Sequence, residues 1–117
     1  MEIYIKNKFE GFHKWKDAPD EVAFLRDVHR HIFHVKTTIE VQQADRELEF
    51  FMVQHRINDI IAKFNNETMV EWSCETIGIH ILKELHKLYP GRRMMCDVNE
   101  DGENGAVVRI DGSGLLM

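Results

Sequence analysis

From His29 the chain alternates: His29, His31, Phe33, Val35, Thr37, Ile39 and Val41 share one parity, and Arg30, Ile32, His34, Lys36, Thr38 and Glu40 the other. A strand sends successive side chains to opposite faces. This run, rich in β-branched residues and broken mainly by Ile32, therefore predicts a strand with one buried face. Upstream, Ile3 to Trp15 carries Ile3, Ile5, Phe9 and His13 at odd positions and predicts a second strand, with Gly11 as a place for a bend or bulge. Between the two, residues 16–27 hold Pro19 and three aspartates and predict a loop with one helical turn, Glu21 to Leu25.

The period changes after Ala44-Asp45. Leu48, Phe51, Met52, Ile57, Ile60, Ile61 and Phe64 recur at helical spacing and predict a helix over 49–64, ended by Asn65-Asn66. A second helix begins near Ser73, whose hydroxyl can accept from a free backbone N–H, and Glu75 suits the positive end of its dipole. Ile77, Ile81, Leu85 and Leu88 form its inner stripe, and Pro90-Gly91 stops it. Met94 to Val98 and Ala106 to Ile110 predict a hairpin across the Asp101–Gly105 turn, which contains both Asp-Gly and Asn-Gly. The order β-β-α-α-β-β predicts an α+β fold, an antiparallel four-stranded sheet with two helices on one face. No repeat or linker interrupts it, so residues 1–117 are expected to form a single domain.

Composition narrows the function classes. With 44% hydrophobic and 30% charged residues in 117, the chain is expected to be globular and able to build a core without staples. Its 15 Lys plus Arg against 20 Asp plus Glu give a net charge of −5, which argues against non-specific nucleic-acid binding. No apolar run approaches the roughly 18–20 residues of a membrane span, and no membrane partner is expected. Met1 to Lys6 does not read as a signal peptide, and the two cysteines, Cys74 and Cys96, form no disulfide framework, so a cytoplasmic location is expected.

The seven histidines carry the chemistry. His29 and His31 project side by side from one strand face, and two neutral imidazoles so placed can bind a divalent metal at about 2.0–2.1 Å. Two surface or packed histidines would give the same pair. His13, on the apolar parity of the neighbouring strand, supplies a third, and three histidines with an open position is the pattern of a catalytic zinc. His34 has the opposite parity, His55 and His86 sit among helical charges and read as solvated, and His80 reads as packed at a helix edge. Cys74 lacks a partner base, Cys96 reads as core, and Met94 and Met95 as adaptable packing. Glu100 ends a strand beside a Gly-rich turn, where a carboxylate can accept two N–H bonds from a planar heterocycle. Position alone does not establish that role, and for turn acids in general the plain reading, a solvated charge, prevails.

Together these segments resemble the 6-pyruvoyltetrahydropterin synthase and 6-carboxytetrahydropterin synthase family over about residues 3–110. Phe9-Glu10-Gly11-Phe12-His13 is similar to its first zinc-binding segment, and Val28-His29-Arg30-His31-Ile32-Phe33 to its Leu-His-Gly-His-x-Phe motif. Leu48-Glu49-Phe50, Ser73-Cys74-Glu75 and Val98-Asn99-Glu100 resemble its first-helix, second-helix and late-strand motifs. The resemblance implies the tunnelling (T) fold, with Zn2+ held by His13, His29 and His31. It also implies a pterin-like or purine-like ring anchored by Glu100, with Ser73 and Glu75 contributing from a neighbouring subunit. Members close their sheets into trimeric barrels stacked as hexamers, so a homo-oligomer is expected.

The departures bear on activity. Arg30 replaces Gly, Asp101 replaces Thr, and Leu25 stands where the family has its catalytic cysteine. Asn65 to Trp72 contains no counterpart of the family's Leu-Asp-His segment. Two readings follow from the resemblance. One is a zinc-dependent synthase or lyase acting on a dihydroneopterin-triphosphate-like substrate through a substituted base. The other is a non-catalytic zinc- and pterin- or purine-binding oligomer. A purely structural assembly is a third, which leaves the histidines and Glu100 unexplained.

Overall fold

Twelve-residue strands β1 (Glu2–His13) and β2 (His29–Glu40) run antiparallel from Glu2 opposite Glu40 to His13 opposite His29. The computed structural model describes residues 1–65 and 68–117. A 3-10 segment at Asp20–Arg26 joins the two strands, close to the expected single turn. Helix α1 (Phe50–Phe64), a short 3-10 segment (Thr68–Glu71) and helix α2 (Cys74–Leu88) follow, and then β3 (Met94–Glu100) and β4 (Gly105–Ile110). The sheet is wholly antiparallel in the order β1-β2-β3-β4, so the expected α+β architecture is present.

Register puts the buried apolar residues of all four strands on one face. Ile5 lies opposite Thr37, Val35 opposite Val98, Ile39 opposite Met94, and Met94 opposite Ile110. Both helices cover that face. Asn7 of β1 donates from Nδ2 to Asn58 Oδ1 (2.7 Å) and Gln54 O (3.1 Å) of α1. Gly78 lets α2 lie close on the sheet, since a Cβ there would sit 3.0 Å from a Val108 methyl. Ile57, Ile77, Ile81, Leu82, Leu85, Phe33 and Ile39 are fully buried between the layers.

The helix starts are capped by side chains. Glu49 accepts from Met52 N at 2.7 Å, and the Ser73 hydroxyl accepts from Thr76 N at 3.2 Å, each satisfying a backbone donor that the helix cannot. Asn65 ends α1 and also ties it to β1, donating to Glu10 O at 2.9 Å. Its expected partner in that role, Asn66, lies outside the described residues.

Three local expectations are corrected. Phe51 and Met52 are exposed, because the buried stripe of α1 runs through Val53, Ile57, Ile60, Ile61 and Phe64, and at about 100° per residue Phe51 points away from it. Leu88 is exposed in the last turn of α2, where Tyr89 packs on the core instead. Gly11 forms no bulge, since pairing runs unbroken through Gly11 opposite His31. Its place is set by close approach: a Cβ at Gly11 would lie 2.9 Å from the buried Phe33 ring. Among the described residues no helix is long and apolar enough to cross a membrane.

Gly11→Ala therefore forces a methyl against a ring with nowhere to go. It is expected to cost about 1–3 kcal/mol, read as a lower urea midpoint at unchanged m-value. An unchanged midpoint would show that Phe33 can move aside.

Candidate metal centre

The three histidines meet because of the β1–β2 register. His13 lies directly opposite His29, and His31, two residues on, lies opposite Gly11 on the same face. The ring centroids are 4.5 Å apart for His13–His29, 5.1 Å for His13–His31 and 5.0 Å for His29–His31. Phe33 forms the floor, edge-on to His13 at 5.3 Å and to His31 at 5.7 Å. Glu100, opposite Phe33 in β3, brings its carboxylate in from the other side. One donor atom from each of His13, His29, His31 and Glu100 can be chosen so that all lie within 4.8 Å of one another, a group that can hold a metal ion.

Hydrogen bonding orients the rings. Nδ1 of His13 lies 2.8 Å from Trp72 O, Nδ1 of His29 lies 2.8 Å from Asp27 O, and Nδ1 of His31 lies 2.7 Å from Asp101 Oδ2. Carbonyl and carboxylate oxygens only accept, so each Nδ1 carries the proton, and each neutral ring keeps its lone pair on Nε2. Metal-binding histidines are typically held in this way by their second nitrogen.

The Nε2 atoms are correspondingly short of partners. That of His31 is buried without a hydrogen bond: with its proton on Nδ1 it meets Glu100 Oε2, at 3.3 Å, as one acceptor facing another. That of His13 is 2.9 Å from the same oxygen, again two acceptors with no proton between them, a contact that a shared cation would relieve. Burial lowers the pKa of His13, outweighing the raising effects of the Trp72 carbonyl and the Glu100 carboxylate, and so favours the neutral form a metal needs. An orphaned buried nitrogen among oriented imidazoles is the arrangement a cation would satisfy.

A cleft of about 540 Å³ opens beside the cluster. His13, His29 and Glu100 line one side, and Ser73, Cys74 and Glu75 at the start of α2 line another. The helix start thus shares the cleft with the histidines within one chain, where the resemblance implied a contribution from a neighbour. Trp15, Trp72 and Leu25 supply apolar wall. Arg30, the odd member of His-Arg-His, points to the opposite sheet face and pairs with Glu10 at 2.6 Å, away from the cluster.

The other histidines stay apart. His55 is exposed, and His34 lies on the opposite sheet face. His80 stacks flat on Trp72, centroids 4.0 Å apart and planes within 5°. His86 is not solvated as expected: it is half-buried, with Nε2 3.0 Å from Gly112 O. Trp72, Asp27 and Asp101 complete the site, and no sequence motif marks them. Two act through backbone carbonyls, which carry no residue signature, and Asp101 reaches a histidine 70 positions away.

Cys74 faces the cleft, but burial and the nearby Glu100 and Glu75 charges push its thiol pKa up to about 12, and burial does the same for Cys96. Neither supplies thiolate near neutrality. Both are expected to resist iodoacetamide in the folded protein at pH 8 and to alkylate fully in guanidinium, as read by mass spectrometry. Stoichiometric labelling of Cys74 in the native state would contradict this environment. Scanned against protein-family models the chain matches none, and among curated proteins no match is found.

Proposed function

We propose that the chain is a zinc-centred pterin synthase or lyase of the tunnelling-fold type, acting on a dihydroneopterin-triphosphate-like substrate. One observation carries the reading: three imidazoles, each tied through Nδ1 to an oxygen, offer one ligand atom apiece within 4.8 Å of each other and of a Glu100 oxygen, beside a cleft about 540 Å³ in volume. That volume suits a bicyclic ring with a short side chain. Three imidazoles with a nearby oxygen donor and no sulfur suit zinc. When bound, zinc supplies Lewis-acid polarisation of substrate oxygens.

The chain's own groups divide the remaining work. The Glu100 carboxylate, an acceptor only, matches the amino group and ring N–H along one edge of a pterin. Ser73 and Glu75 bound the cleft near the positive end of α2, where an anionic or electron-rich group is favoured. Trp15, Trp72 and Leu25 exclude water from the apolar part of a ring. The sheet face away from the helices carries exposed Tyr4, Phe12 and Val107, and β1 has an unpaired outer edge. Both features support a homo-oligomer, trimeric or hexameric.

A second reading, binding without turnover, is favoured by one feature. The cleft wall has Leu25 where the family has a cysteine, and the Cys74 thiol is held protonated. Loss of a general base typically costs about 10²–10⁴-fold in rate.

Protein purified without chelators is expected to contain about one zinc per chain, and His31→Ala to lose most of it. Metal-loaded protein given dihydroneopterin triphosphate is expected to release triphosphate above the protein-free rate. Zinc content below a tenth of an equivalent would overturn the metal reading. A ligand-dependent rise in Tm without release would select the binding reading, since a ligand of the native state stabilises it by mass action.

A further inference from the structure

We propose that Asp101 is the positioning residue that sets the metal affinity of this centre, by fixing the tautomer and ring plane of His31. The inference rests on the proposed metal site and extends it to a residue that the family resemblance marks only as a departure.

The geometry points to a purpose-built contact. Asp101 Oδ2 accepts from His31 Nδ1 at 2.7 Å, and Oδ1 accepts from Ile32 N at 2.8 Å. Asp101 N in turn donates to Ile32 O at 2.8 Å. The carboxylate is thus clamped to the residue following His31 and cannot swing without breaking two hydrogen bonds at once. The turn that delivers it is itself specified. Asp101 has φ of 58°, in the left-handed region that Asp, Asn and Gly tolerate best. Asn99 Oδ1 accepts from Gly102 N at 2.8 Å, and Glu100 N donates to Asn104 O at 2.9 Å.

Asp101 also differs in kind from the other two orienting groups. His13 and His29 donate to the neutral backbone carbonyls of Trp72 and Asp27. Only His31 donates to a carboxylate, and a charge-assisted bond is stronger and raises the basicity of the far nitrogen. That far nitrogen is the buried Nε2 without a partner. The strongest orienting group therefore stands behind the lone pair most in need of a cation.

Asp101→Asn isolates the effect. Asparagine tolerates the backbone conformation and has the same size, but its single oxygen cannot serve both His31 Nδ1 and Ile32 N. Zinc affinity is measured by competition with a chromophoric chelator, and the His31 tautomer by long-range proton–nitrogen NMR of the metal-free protein. The expected results are an Nδ1-protonated His31 in the wild type, about 10–100-fold weaker zinc binding by Asp101→Asn, and wild-type affinity for Glu103→Gln, which removes a charge from the same turn.

Equal affinity of wild type and Asp101→Asn would overturn the inference while leaving the metal centre standing. So would an equal loss in Glu103→Gln, which would reduce the effect to general charge. An Nε2-protonated His31 in the metal-free wild type would overturn it without reference to any variant. A wild type that takes up no zinc would bring down the proposed function, and this inference with it.

Discussion

Everything at the site depends on the register between β1 and β2. Side chains alternate across a strand with period two, so a slip of one residue would send His13 to the far face from His29 and His31. The register is held from both ends and from both faces. The buried odd positions, Ile5 on β1 and Phe33, Val35 and Ile39 on β2, would be exposed by a slip. Asn7 is bonded to α1 on the helix side, and Glu10 pairs with Arg30 on the open side. Packing selects the register, and the register places the ligands.

The site also depends on neutrality. Three protonated imidazoles with centroids 4.5–5.1 Å apart would repel one another and bind no cation. Burial disfavours the charged form of His13, and the acceptors behind all three rings choose which nitrogen keeps its proton. The connections between elements supply these acceptors: Trp72 O precedes the start of α2, Asp27 O precedes β2, and Asp101 lies in the β3–β4 turn. Elements distant in sequence therefore act on the centre through single hydrogen bonds. A fault in any of them would reach the imidazole cluster before it reached the core.

Legibility from sequence followed the strength of periodicity. The alternation of residues 29–41 and the Asp-Gly and Asn-Gly turn were enough for the strands and the hairpin, and parity alone put His13, His29 and His31 on one face. Phe51 and Met52 are apolar without being buried, because helical phase in the first turn of α1 turns them outward. A glycine inside a strand suggests a bend or bulge, whereas the cause of Gly11 is the Phe33 ring pressed against it from the paired strand. His86 finds its partner in the carbonyl of Gly112, and Asp101 finds His31 across 70 residues. Neither contact leaves a local mark. What periodicity could not carry was the second layer of hydrogen bonds, which topology alone assembles.

The proposed zinc site rests on three imidazoles from two paired strands. Zinc K-edge X-ray absorption of the metal-loaded protein reads that coordination directly. The expected first shell is nitrogen and oxygen at about 2.0–2.1 Å with the multiple scattering of three imidazoles and no sulfur. A sulfur shell at about 2.3 Å, or an oxygen-only shell without imidazole scattering, would contradict it.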